Sequence, residues 1–206
     1  MKKLRIGITG CIGSGKSLVT QMLKVYGAAV VDMDKAGRWA VEQDKQVRHN
    51  LRQTFGDEYF DSNGALQRTK MASLVFSDQT ALQKLNAIVH PVMLQHVRQL
   101  ITTAEQQFPS APYIIVDAAL IFELHFEYNL DRIVAVSAPL QTCMQRLQQK
   151  SGLSRMEFLQ RYNAQLPMEE KLRRADYVIE NNGSLDSLRQ KTLKLHQWLL
   201  LQSPEH

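Results

Sequence analysis

Cysteine is scarce in this chain. Its 206 residues include two, Cys11 and Cys143, and neither belongs to a C-x-x-C pair. Two distant cysteines make no disulfide framework, so a reducing cytoplasm is the expected compartment. Long apolar runs are missing too. No stretch approaches the roughly 20 residues that span a bilayer, so no membrane partner is expected. The apolar run after Met1-Lys2-Lys3 is too short for a signal peptide. No Lys/Arg block interleaves with aromatic residues, so nucleic acid is not an expected partner. The excess of 25 Lys and Arg over 20 Asp and Glu reads instead as mild basicity, or as charge gathered around a polyanionic ligand. There are no internal repeats, no low-complexity segments and no Asn-Lys-x-Asp guanine reader. The last absence speaks against a GTPase switch. The sequence does not determine an oligomeric state, and a monomer is favoured.

What is present begins near the start. Gly10-Cys11-Ile12-Gly13-Ser14-Gly15-Lys16-Ser17 has the G-x-x-x-x-G-K-S spacing of a phosphate-binding P-loop. An apolar run, Leu4 to Thr9, precedes it, and a helical pattern from Lys16 to Tyr26 follows. The glycines let backbone approach a phosphate closely. The loop N–H groups form an anion nest, and the next helix adds its positive end. Lys16 is placed to reach the β- and γ-phosphates, and Ser17 to offer a hydroxyl to Mg²⁺. Leu18 is the next residue of this ATP-binding stretch.

Strand patterns recur at Ala28–Val31, Tyr113–Asp117, Arg132–Val136 and Tyr177–Ile179, alternating with helices. That alternation predicts an α/β fold: a three-layer P-loop NTPase core with a parallel sheet of about five strands. The core takes residues 1–34 and 112–206. Residues 35–111 show only helical patterns, longer than one crossover needs, and read as a mostly helical insert. His90-Pro91 is expected to interrupt its last helix. Short basic helices over about 140–174 read as a lid, with Arg146 and Arg161 the candidates to meet a transferred phosphoryl group. Most of the other lid cations, among them Lys150, Arg155, Lys171, Arg173 and Arg174, read as solvated charge.

Three carboxylates are candidates for chemistry. Asp32 and Asp34 fall at the carboxyl end of the second strand, where alternation puts them on one face. Either can accept a proton from an attacking hydroxyl or hold Mg²⁺ through water. Asp34 is favoured as the base and Asp32 as the metal or water partner. Asp117 closes the apolar strand Ile114-Ile115-Val116, the Walker B arrangement that supports Mg²⁺ indirectly. His90 has no second His, Cys or acid at ligand spacing and reads as a packed histidine at a helix break.

Together these segments resemble the dephospho-coenzyme A kinases over nearly the whole chain. The resemblance rests on Ile8-Thr9-Gly10 through Ser17, Asp32-Met33-Asp34 with Arg38, Gly64-Ala65-Leu66-Gln67-Arg68 with Phe76, and His90-Pro91. It continues through Asp117-Ala118-Ala119-Leu120-Ile121-Phe122-Glu123, Arg146, Arg161 with Gln165 and Pro167, and Ala175-Asp176-Tyr177-Val178-Ile179 with Asn181. It implies transfer of the γ-phosphoryl group of ATP, with Mg²⁺, to the ribose 3′-hydroxyl of dephospho-coenzyme A. It also implies that the helical insert binds the acceptor. Arg38, Arg68, His90, Asp117, Leu120, Phe122 and Glu123 become acceptor-binding candidates, and Arg146, Arg161 and Gln165 lid candidates. Another small-molecule or nucleoside monophosphate P-loop kinase is the alternative. The chain departs from the family pattern at Cys11, usually Gly, at Leu18, often Thr, and at Ala119, commonly Pro.

Overall fold

A computed structural model describes residues 3–202. Five strands form one parallel sheet: β1 (Leu4–Gly10), β2 (Ala29–Asp32), β3 (Tyr113–Asp117), β4 (Arg132–Ser137) and β5 (Tyr177–Glu180), in the order β2-β3-β1-β4-β5. The three inner strands are apolar and buried along most of their length, as strands covered on both faces must be. β1 is central, pairing Ile6 with Ile115 on one side and Ile8 with Val134 on the other.

Helices α1 (Lys16–Val25) and α9 (Leu185–Leu201) cover one face of the sheet. Val19 and Leu23 of α1 and Leu188, Leu195 and Leu199 of α9 pack with Ile6, Ile8, Tyr113, Ile115 and Val134 in one cluster. Tyr26 and Gly27 end α1, with Gly27 at φ 93°. Ser184 caps α9 by accepting the Ser187 N–H at 3.2 Å. A second cluster joins Ala135 to α6 (Leu140–Ser151), α7 (Arg155–Asn163) and α8 (Met168–Arg174) through Cys11, Cys143, Phe158 and Met168. Gly152, left-handed, ends α6, and Ser154 with Glu157 forms a full capping box at the start of α7.

Residues up to Asp32 and from Ile101 onward form one compact unit, and Met33–Leu100 form a second. The second unit begins two residues earlier than the helical stretch expected from sequence and ends eleven earlier. It holds α2 (Met33–Gln43), α3 (Lys45–Phe55), a 3₁₀ turn at Asp57–Tyr59, α4 (Arg68–Ser77) and most of α5 (Gln79–Gln107). Asp44 caps α3 by accepting the Val47 N–H at 2.8 Å. Met71, Val75 and Ala81 make a small core with Phe55, Tyr59, Leu66 and Leu85 around them.

Two expectations fail here. His90-Pro91 does not interrupt α5, which runs 29 residues with Pro91 inside it. Proline removes the hydrogen bond to the Ala87 carbonyl. Both Pro91 and Ala87 are exposed, so the freed carbonyl lies on the solvent side of the helix, where losing that bond costs least, and the helix continues. Asp34 is not on a strand end. β2 stops at Asp32, and Asp34 lies in the first turn of α2, so the alternation argument does not apply to the pair. A carboxylate there favours the helix by complementing its positive end.

Candidate active site

In the first unit the site starts from the turn between β1 and α1. Gly13 and Gly15 have φ of 82° and 94°, which L side chains rarely adopt. A Cβ on Gly13 would stand 2.6 Å from the Cys143 carbonyl oxygen, and one on Gly15 2.2 Å from Asn181 Nδ2. The loop is therefore closed on the outside by α6 and by the residue after β5. Ser14 N–H donates to the Cys11 carbonyl at 3.1 Å, and the Leu18 and Val19 N–H groups return to the Gly15 carbonyl. Ser14 Oγ is buried without a hydrogen-bond partner inside the turn. Ser17 and Leu18 are exposed at the start of α1.

Side chains from four elements meet this loop. Lys16 pairs with Asp117 at the carboxyl end of β3. Asp117 lies beside Asp32 in register across β2 and β3, so the two carboxylates close neighbouring strands. Arg146 on α6 directs Nη1 to the Gly13 and Ser14 carbonyls, at 3.5 and 3.4 Å, and Nη2 to the Asn181 carbonyl at 3.4 Å. Gln165, after α7, accepts the Ile12 N–H at 3.2 Å. Asn181, buried, donates its amide to the Ser14 carbonyl at 2.8 Å. Sequence reasoning included Asn181 in a motif but missed its role; its place after the last core strand was the available signal.

The stretch after β3 is built differently from expectation. Phe122 is buried, with the Arg174 guanidinium 4.2 Å over its ring. Glu123 Oε1 accepts the Leu166 N–H at 2.7 Å and pairs with Lys171 Nζ at 2.8 Å. Lys171, read as a solvated lid charge, is wholly buried and also donates to the Ala119 carbonyl at 2.6 Å. Arg173 and Arg174 pair with Glu170 and Glu127. Arg161 lies on α7, half-buried, and Leu120 is half-buried in the turn.

The second unit has a cavity of about 350 Å³ of its own. Asp34, Arg38, Arg68 and His90 line it beside apolar Val41, Leu66, Met71, Val75, Phe76 and Met93. Three of the expected acceptor-binding residues and the expected base thus gather at one opening, with Asp34, Arg38 and Arg68 exposed. Arg68 also pairs with Glu42. Asp117, Leu120, Phe122 and Glu123 belong to the other unit. Of the apolar lining, Leu66 and Phe76 stood in segments that carry the family resemblance, whereas Val41, Met71, Val75 and Met93 carried no motif and were not legible in sequence. Burial pushes the His90 imidazole below its ordinary pKa, so it is neutral at pH 7.

A parallel sheet in this order, a closed glycine turn with Lys16 at its end, and Asp117 at the adjoining strand end define a P-loop phosphotransferase. A family model for dephospho-CoA kinase matches residues 4–187. The chain belongs to the dephospho-CoA kinase family: it is an ATP-using kinase that phosphorylates dephospho-CoA to CoA. It is 38% identical over 192 residues to a dephospho-CoA kinase of Syntrophotalea carbinolica, covering 93% of this chain and 90% of the relative. Among solved structures it resembles TT1252 from Thermus thermophilus, with TM-score 0.80, 38% identity and coverage of 96% of this chain and 98% of that one. The dephospho-CoA kinase from Campylobacter jejuni shares the fold at TM-score 0.71 and 22% identity, over 96% and 97% of the two chains. Among the described residues, no helix is long and apolar enough to cross a membrane.

Proposed function

We propose that Asp34 is the general base that takes the proton from the ribose 3′-hydroxyl of dephospho-CoA, and that the cavity of the second unit holds the acceptor. The supporting observation is that Asp34, Arg38, Arg68 and His90 line one largely apolar cavity. Its apolar wall suits the uncharged parts of the acceptor, and its two arginines suit the phosphates. Neutral His90 adds a hydrogen-bonding group that costs no ion desolvation. Asp34 is exposed in the first turn of α2. Its carboxylate is thus open to an incoming hydroxyl and is a group that can receive a proton.

The ATP phosphates lie in the Gly10–Ser17 turn, against its N–H groups and the positive end of α1. Lys16 exchanges its Asp117 partner for phosphate oxygens. Arg146 is fixed by the Gly13, Ser14 and Asn181 carbonyls and puts a delocalised cation beside the transferred group. Phosphoryl transfer asks little covalent chemistry of the protein, so positioning and charge carry the rate. Ser17, Asp32 and Asp117 are hard oxygen donors at one end of the sheet, a set that suits Mg²⁺, which takes few protein ligands. When bound, Mg²⁺ supplies charge neutralisation on the phosphate oxygens. With two reduced thiols among its described residues, the chain fits the cytoplasm.

Asp34→Asn tests the base. Turnover with dephospho-CoA should fall by about 10²–10⁴-fold, while ATP affinity by titration calorimetry stays within about twofold. Near-normal turnover in that variant would make Asp32, or a water it orders, the base instead. A product other than CoA by mass spectrometry would overturn the acceptor assignment.

A further inference from the structure

Both cysteines of the chain meet at the phosphate loop. Cys11 Sγ and Cys143 Sγ are 3.7 Å apart, and both are free thiols buried between the turn and α6. We propose that Cys11 and Cys143 form a redox modification site, in which a small peroxide joins the phosphate loop to α6 by a disulfide and reversibly shuts off ATP use.

Access and chemistry assign the order of events. Cys11 is 7% exposed and Cys143 not at all, so the oxidant meets Cys11 first. The hydrogen bond from Cys143 holds the Cys11 thiol below its ordinary pKa. Burial opposes this, and the charge of Lys171 supports it. The same hydrogen bond and burial push the Cys143 thiol up. Cys11 is thus the thiol that gives up its proton more readily and acts as the nucleophile, and Cys143 is the partner that keeps its proton. The Cys11 thiolate attacks one oxygen of hydrogen peroxide, the O–O bond breaks, and hydroxide leaves to become water. Cys11 is then a sulfenic acid. The Cys143 sulfur attacks the Cys11 sulfur; the S–O bond breaks, and the departing hydroxide takes the Cys143 proton and leaves as water. Two thiols and one peroxide give one disulfide and two waters. A dithiol reductant reverses the change.

The consequence follows from what the two residues hold. A disulfide requires the sulfurs to close to about 2.0 Å. The Cys143 carbonyl already abuts the Gly13 turn, and α6 directs Arg146 to the Gly13 and Ser14 carbonyls. Closure therefore moves the turn and Arg146 relative to each other, where a shift of about 1 Å costs on the order of 10²-fold in rate. The inactivation, though not the bond itself, rests on the reading of Gly10–Ser17 as the ATP site.

The test treats the full-length protein with hydrogen peroxide, removes the excess with catalase, and counts thiols by alkylation and intact mass. The expected product has lost two hydrogens and both alkylatable thiols. Its kcat/KM for ATP should be at least about tenfold lower, and dithiothreitol should restore mass and rate together. Cys143→Ala should keep its basal rate and gain oxygen at Cys11 instead of losing two hydrogens. Two thiols that survive peroxide, or oxygen gained at Cys11 in the wild type, would overturn the proposal. So would a disulfide form with unchanged kcat/KM. The mass readout is independent of which acceptor the enzyme uses, so its failure is distinct from failure of the acceptor assignment.

Discussion

Lys171 shows how a single residue ties chemistry to stability. Its ammonium is fully enclosed and answered by Glu123 Oε1 at 2.8 Å and the Ala119 carbonyl at 2.6 Å. Thr9 Oγ1 donates to the same carbonyl at 3.0 Å. The turn after β3 is thus pinned to both the strand that feeds the phosphate loop and the helix α8. Glu123→Ala leaves a buried cation without its counter-ion, and such losses cost about 3–5 kcal/mol. The urea midpoint should fall accordingly. Lys171→Met together with Glu123→Leu should recover much of that loss, because the desolvation cost of both ions goes with them. A double variant no better than Glu123→Ala would mean that the pair fixes geometry that apolar packing cannot.

His90 is the residue-scale source of pH dependence. Its folded pKa lies below the unfolded value of about 6.5 because burial disfavours the imidazolium. Above that unfolded value the histidine is neutral folded or unfolded, and contributes no slope. As pH falls below it, the unfolded chain takes a proton that the folded chain does not, so stability declines until the folded pKa is passed. His196, hydrogen-bonded to the Tyr113 hydroxyl at 2.6 Å, is lowered by burial in the same sense. His90→Gln should therefore make the fall of the urea midpoint between pH 7 and 5 shallower without abolishing it. An unchanged slope would remove His90 from the account.

At the scale of elements, α5 is informative because proline sits in the middle of it. Pro91→Ala restores an N–H for the Ala87 carbonyl and removes the ring's clash with the preceding turn. An interior proline costs about 3 kcal/mol or more. Hydration of the exposed carbonyl and the stiffer unfolded chain offset about 1 kcal/mol of that. The variant should therefore gain about 2 kcal/mol, read as a higher urea midpoint. A lower midpoint would show that the proline is needed for the α5 geometry. The same element shows why part of the fold was not legible. The dipeptide rule weighs local strain, whereas exposure of both Pro91 and Ala87 is a property of the packed unit. Asp34 failed for a related reason: a strand-end pattern and a helix start look alike when one runs into the other without a gap. The glycine turn and the apolar strands were legible, since each depends on residues close together in the chain. Lys171 was not, because its partner is 48 positions away and α8 looks like a surface helix by composition.

At the scale of the whole chain, the two compact units hold different candidate sites, and that division can be read with ligands one at a time. A ligand at 100 times its Kd stabilises the state that binds it by about 2.7 kcal/mol, and local opening reports the same linkage. ATP with Mg²⁺ should slow amide exchange at Gly10–Leu18, around Arg146 and Gln165, and at Asn181. Dephospho-CoA alone should slow it at Asp34–Val41, Leu66–Phe76 and Leu85–Met93, the segments that border the cavity. Lys16→Ala should remove the first pattern and leave the second, because Lys16 and the cavity belong to different units. Protection by dephospho-CoA confined to the strands and the phosphate loop would instead put the acceptor on the sheet. In that case Arg38, Arg68 and His90 would be surface chemistry of the helical unit, and Asp34 would lose its claim to the proton.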